Sequence, residues 1–177
     1  VIQLGSILAV VVLYFNKLNP FSRAKSRAER LSTFQLWFKV IVAILPIGVI
    51  GLLVDDWVTE HFYTPTVIAI ALIFYGVLFI LLEKRNHRVK PRIRNFEQLS
   101  YRTAVCIGIL QLLAIIPGTS RSGSTILGAI ILGVGRAAGA EFSFFLAIPT
   151  MLGASVLKLV KFLLSGVSAT GAEWAIL

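Results

Sequence analysis

Apolar stretches of helical length alternate with short polar segments along nearly the whole chain. A helix rises about 1.5 Å per residue, so about 20 apolar residues cross a membrane core of about 30 Å. The pattern therefore predicts a bundle of membrane-spanning helices. The apolar stretches are residues 1–15, 38–54, 66–82, 101–116, 124–134 and 142–164.

Two of these stretches meet at a polar break and are short for membrane spans. Residues 101–116 cover about 24 Å before Pro117 stops them, and residues 124–134 cover only about 16 Å. Non-helical backbone at membrane depth persists only where protein or trapped water satisfies its polar groups. We therefore expect an all-α, polytopic integral membrane helical bundle with a broken or re-entrant helix hairpin, forming a single domain over residues 1–177.

Composition supports a membrane protein. Hydrophobic residues make up 57% of the chain and charged residues 14%, whereas a soluble domain carries about 25% charged residues. The net charge of +9 does not indicate nucleic acid, because the basic residues are concentrated in residues 16–30 and 84–94, between apolar stretches. Cytoplasmic loops of membrane proteins carry such charge, so membrane lipids are the expected acidic neighbours.

The link at residues 55–60 is acidic and should be an outward-facing loop, which places the break in the outer half of the membrane. Val1 already lies within an apolar stretch, and no pattern of a cleavable signal peptide precedes it. We therefore expect the chain to be a fragment of a longer protein.

The break at residues 117–125 concentrates anion-binding chemistry: a proline, two glycines, hydroxyl side chains and Arg121. A cation in hydrocarbon needs a partner of opposite charge. A helix that starts here would present free backbone N–H groups, and Arg121 could bind two phosphate oxygens at once. Ser120, Ser122 and Thr125 would add hydroxyl donors, so a phosphate group is the predicted ligand. The alternative is that the small residues only pack helices and Arg121 extends to the interface.

Residues 117–123 resemble the second signature of the undecaprenyl-diphosphate phosphatases, the bacitracin-resistance proteins of bacterial membranes. Residues 1–10, 140–144 and 147–149 are similar to the same family in order and spacing. The resemblance therefore covers nearly the whole chain.

The resemblance implies inverted repeats and two re-entrant hairpins that meet at a pocket on the extracytoplasmic side of the bacterial cell, or inner, membrane. Such an enzyme would hydrolyse undecaprenyl diphosphate to undecaprenyl phosphate and phosphate, recycling the carrier lipid for peptidoglycan synthesis and conferring bacitracin resistance. The catalytic residues would be Arg121, Ser120 and Ser122, which stabilise charge rather than transfer protons. The substrate-binding residues would be Gly118, Thr119, Gly123 and Thr125.

The family's first signature, a glutamate-rich hairpin with a Ser-Ser-Thr-Gly-His run, does not occur in this sequence. On the resemblance it would lie upstream of Val1 and supply the acid, base or nucleophile. It would also hold a divalent metal, Mg²⁺ or Ca²⁺, so no residue of this chain is an expected metal ligand. The chain would then carry only part of the catalytic machinery.

One other function remains open at this point, and the sequence argues against a second. A transporter or flippase for a phosphorylated lipid or another anion is possible, because secondary transporters also hold anions at broken helices. A type 2 phosphatidic-acid phosphatase would need a histidine after the arginine motif, and none follows His87.

Glu141 follows an expected turn at residues 135–140 and is interpreted as a first-turn carboxylate favoured by the helix dipole.

Overall fold

The computed structural model describes residues 2–23, 25–86 and 90–164, and most of these residues are helical. Within those ranges the only strand-like pairing is an isolated bridge between Ile93 and Val134. The prediction of an all-α fold is confirmed. The helices are α1 (Ile2–Leu13), α2 (Phe15–Leu18), α3 (Arg27–Phe62), α4 (Pro65–Asn86), α5 (Tyr101–Leu110), α6 (Arg121–Ile131) and α7 (Arg136–Leu164), with short 3-10 helices at Phe96–Gln98 and Gln111–Ile115.

Three helices are long and apolar enough to cross a membrane: α3, α4 and residues Arg136–Leu157 of α7. Their most apolar windows are poorly covered by the rest of the protein, with 17% of the residues buried in α3 and 6% in α4. Exposed apolar surface of this extent requires lipid around it. The chain is a multi-pass membrane protein.

Helix α3 is longer than the apolar pattern predicted. It begins after a capping box, in which Ser26 Oγ accepts from the Glu29 N–H and the Glu29 carboxylate accepts from the Ser26 N–H at 2.7 Å. It continues unbroken to Phe62, so the expected loop at residues 55–60 is wrong. Asp55, Asp56 and Glu60 are exposed on the last turns of the helix, where water can solvate them without a loop.

Helix α7 also begins earlier than predicted. It starts at Arg136, so residues 136–140 are helical and Glu141 lies in the second turn. The Glu141 carboxylate accepts hydrogen bonds from Lys17 Nζ at 2.8 and 3.0 Å. Interpreting Glu141 as a first-turn carboxylate is therefore wrong; the residue joins α2 to α7 through a half-buried ion pair.

The core lies between α3, α5 and α7. Leu36 and Val40 of α3, Ile107 of α5 and Phe142 and Phe145 of α7 are all essentially buried and belong to one cluster. Helices α3 and α5 approach closely at Gly108, where an added Cβ would lie 2.8–2.9 Å from the carbonyl carbon and Cα of Ala43. Small residues allow such backbone contact between membrane helices. This packing fixes α5, which leads directly into the break.

We expect Gly108→Ala to destabilise the protein by about 1–3 kcal/mol. The new methyl group would clash with the backbone of Ala43, which cannot move aside as a flexible side chain can. The thermal unfolding midpoint of the full-length protein in detergent measures the effect. Gly76→Ala in α4 is the matched control, since nothing lies within 4 Å of a Cβ at that position. Equal midpoints for the two variants would contradict a close contact between α3 and α5.

Candidate functional site: a polar break between two half-helices

The break lies between the 3-10 helix at Gln111–Ile115 and the first residue of α6. Helices α5 and α6 contact each other, so the two half-helices form the predicted hairpin. Gly118 makes the turn with φ +89°, a left-handed conformation that glycine adopts without penalty. A Cβ at Gly118 would also lie 2.7 Å from the Ile68 carbonyl oxygen. Gly118 therefore both reverses the chain and brings it against the backbone of α4.

Helix α6 starts at Arg121, three residues before the predicted start at residue 124, because Ser120 caps it. The Ser120 hydroxyl accepts from the Gly123 N–H at 3.2 Å and lies 3.3 Å from the Ser122 hydroxyl. The Ser124 N–H donates to the Ser120 carbonyl at 2.8 Å. The first-turn amides of Arg121 and Ser122 are then the groups that a helix start offers to an anion.

The guanidinium of Arg121 is turned into the protein. Its Nη2 donates to Met151 Sδ of α7 at 3.4 Å, and a thioether is a weak acceptor. Its Nε and Nη1 are shielded from solvent and have no acceptor among the described residues. Buried donors of a charged group are costly when unpaired. The alternative in which Arg121 extends to the interface is wrong, and the geometry favours an anionic ligand at these two nitrogen atoms.

The other predicted hydroxyl residues lie in different environments. Ser122 is half-buried beside Ser120, whereas Thr125 is buried and faces α7. Thr125 Oγ1 contacts the carbonyl oxygens of Arg121 and Ser122 at 3.2 and 3.0 Å and Ser143 Oγ at 2.5 Å. The two carbonyls can only accept, whereas either hydroxyl can be the donor between Thr125 and Ser143. The Thr125 hydroxyl is thus engaged in fixing α6 to α7, and a substrate-binding role for it stays a prediction.

Thr119 and Gly123 complete the predicted set. Thr119 Oγ1 is buried and lacks a partner among the described residues, so its hydroxyl is available to a ligand. A Cβ at Gly123 would lie 3.0 Å from Ser120 Cβ and 3.1 Å from the Phe79 ring. Gly123 therefore packs the helix start against α4, and a substrate-binding role for it stays a prediction.

Three residues near the break were not singled out as site residues from the sequence. Met151 contacts Arg121, and Ser143 bonds Thr125, as described above. The third is Gln111, which is fully buried and has no partner for either amide atom in the described part of the chain. The signal for Gln111 was present, because it is the only amide side chain in the apolar run before Pro117. Nothing in the sequence pattern could place Ser143 or Met151 opposite α6.

The donor set at the break does not fit a divalent metal. It consists of hydroxyls and a guanidinium, whereas Mg²⁺ and Ca²⁺ prefer carboxylate and carbonyl oxygens. The described residues also contain no group of three or more His, Cys, Asp or Glu side chains that could hold a metal ion. Any metal would need ligands other than these residues.

Fold and site together define a multi-pass membrane protein in which a guanidinium, hydroxyls and a helix start lie at a broken helix. Residues 1–176 match the family described as bacitracin resistance protein BacA. The chain belongs to this family. It is 58% identical over its whole length to undecaprenyl-diphosphatase 1 of Clostridioides difficile and 56% identical to undecaprenyl-diphosphatase of Limosilactobacillus fermentum. The chain spans 63% and 64% of the lengths of these two relatives.

We expect Gly118→Ala to lower the thermal midpoint of the full-length protein more than Gly133→Ala. Both glycines have positive φ, +89° and +81°, so both variants carry the left-handed penalty of about 1–2 kcal/mol. Only at Gly118 would the new Cβ clash with backbone atoms, those of Ile68. The atoms nearest to a Cβ at Gly133 belong to the Arg92 side chain, at 3.6–3.8 Å. Similar midpoints would show that the break is not held against α4.

Proposed function

We propose that the protein hydrolyses undecaprenyl diphosphate to undecaprenyl phosphate and phosphate, and that the break binds the diphosphate. The observation that carries this proposal is the pair of solvent-shielded N–H donors on Arg121 that lack an acceptor. Support also comes from relatives named undecaprenyl-diphosphatase at 58% and 56% identity. The activity would recycle the carrier lipid for peptidoglycan synthesis and confer bacitracin resistance.

In the reaction, the oxygen of a water molecule bonds to the terminal phosphorus, directly or after a covalent intermediate, and the bond from that phosphorus to the bridging oxygen breaks. The bridging oxygen leaves with undecaprenyl phosphate. Arg121 binds oxygens of the diphosphate and stabilises the charge that develops on them. Ser120, Ser122 and the start of α6 donate to the remaining oxygens and orient the group. None of these residues is proposed to carry a proton.

The relatives' names favour hydrolysis over the transporter or flippase alternative. We place the protein in the bacterial inner membrane, with the break facing the extracytoplasmic side. The charge distribution supports this orientation: Arg27 and Arg30 lie near the start of α3, and Asp55 and Asp56 lie near its other end. Basic residues favour the cytoplasmic side of a membrane.

We expect Arg121→Ala to lower kcat/KM for phosphate release from a polyprenyl diphosphate by about 100- to 1000-fold, as loss of one charge-stabilising donor does in other enzymes. Arg121→Lys keeps the charge but loses the planar pair of donors, so we expect an intermediate loss of about tenfold or more. Arg102→Lys, at an exposed residue of α5, is the matched control. Full activity of Arg121→Lys would contradict two-point binding by arginine.

We also propose that a divalent metal, Mg²⁺ or Ca²⁺, supplies positive charge at the diphosphate, with ligands outside the described residues. Dialysis against EDTA should abolish phosphate release, and addition of Mg²⁺ or Ca²⁺ should restore it. Retention of full activity after exhaustive chelation would contradict the metal proposal and leave the role of Arg121 unaffected.

A further inference from the structure

A second cationic site lies at the opposite end of α6 from Arg121. The last turn of α4, the segment at residues 90–92 and the C-terminal end of α6 enclose a cavity of about 400 Å³, here called the basic pocket. Its cationic lining residues are Arg85, Lys90 and Arg92. Helix α6 has 11 residues, so the basic pocket lies about 16 Å from the start of α6. It is separate from the break.

The basic pocket has an unbalanced charge. None of its described lining residues is acidic, and the charged groups of the three cationic side chains have no hydrogen bond or ion pair with a described residue. Glu83 lies nearby in α4, but its carboxylate accepts from Arg136 at 2.5 Å. Cations that line one cavity repel each other, and an anion between them removes the repulsion. The charge therefore indicates an anionic ligand.

One wall of the basic pocket is held in place by backbone hydrogen bonds. The N–H groups of Arg92 and Ile93 donate to the Gly133 carbonyl at 2.9 and 3.1 Å, and the Gly135 N–H donates to the Ile93 carbonyl at 2.7 Å. The aliphatic part of Arg92 lies across Gly133, where a Cβ would be 3.6–3.8 Å from it. These contacts fix Arg92 beside the C-terminal end of α6, so this side of the basic pocket has a defined backbone.

Apart from Asn86, the remaining side chains that line the basic pocket are apolar, which favours a lipid over a free ion. Leu82, Ile130 and Ile131 also face the basic pocket, and Ile131 is 56% exposed. The adjoining helix α4 is hardly covered by the rest of the protein, since only 6% of its most apolar window is buried. A lipid could place its phosphate among the cations and its chains along this surface, as headgroups do in basic pockets between membrane helices.

We propose that the basic pocket binds the phosphate headgroup of an anionic membrane lipid. The site is distinct from the diphosphate site at the break and does not depend on the proposed hydrolysis. Its position among the basic segments places it at the cytoplasmic leaflet in the orientation proposed above.

The test is native mass spectrometry of the full-length protein titrated with phosphatidylglycerol or phosphatidylcholine in detergent. We expect saturable retention of phosphatidylglycerol and little retention of phosphatidylcholine. The triple variant Arg85→Gln, Lys90→Gln, Arg92→Gln should weaken phosphatidylglycerol binding roughly 100-fold, because each cation near a membrane surface contributes roughly a factor of five. The control triple Arg27→Gln, Arg94→Gln, Arg102→Gln removes the same charge at exposed positions outside the pocket and should bind like the parent.

Two results would overturn the proposal. An equal loss in both triple variants would show attraction by overall charge without a site. Displacement of the lipid by millimolar inorganic phosphate would show a site for the free ion. If the pocket triple does not fold, the exposed single variants Arg85→Gln and Lys90→Gln replace it, and each should weaken binding severalfold. The measurement has no catalytic readout, so it can fail while the proposed hydrolysis holds.

Discussion

The rest of this bundle is organised around one guanidinium, two of whose nitrogen atoms are shielded from water and have no acceptor among the described residues. Nε and Nη1 of Arg121 lack an acceptor in the described chain, and Nη2 has only a sulfur atom. Lipid cannot solvate such a group, so its partner has to be an anionic or polar group that the described residues do not supply. These uncompensated donors are why the geometry favours an anionic group beside Arg121.

The short helix α6 holds this cation in place because its neighbours approach unusually closely. A Cβ at Gly128 would lie 2.8 Å from Leu110 of α5, and a Cβ at Gly139 of α7 would lie 2.9 Å from Ala129. Gly118 meets α4 in the same way. An 11-residue helix has little stability of its own. Contacts on three sides, together with the Thr125–Ser143 hydrogen bond, supply the rigidity that it lacks.

The apolar pattern predicted the fold class and the hairpin because the membrane imposes both. It failed at helix ends outside the hydrocarbon, where hydrophobicity no longer limits the helix: α3 runs on to Phe62 and α7 starts at Arg136. Arg121 and the hydroxyl cluster were predictable, since charge and polarity are conspicuous in an apolar run. The contacts of Arg121 with Met151 and of Thr125 with Ser143 were not, because they depend on how α6 and α7 are rotated against each other.

The two ends of α6 use charge differently. At its start, the helix dipole and Arg121 are both positive towards a ligand, so backbone and side chain act together. At its end, the dipole amounts to about half a negative charge and opposes an anion. The three cations of the basic pocket outweigh that half charge several times over, which is more than stabilisation of one short helix requires. The excess is the reason to assign them a ligand and not only a capping role.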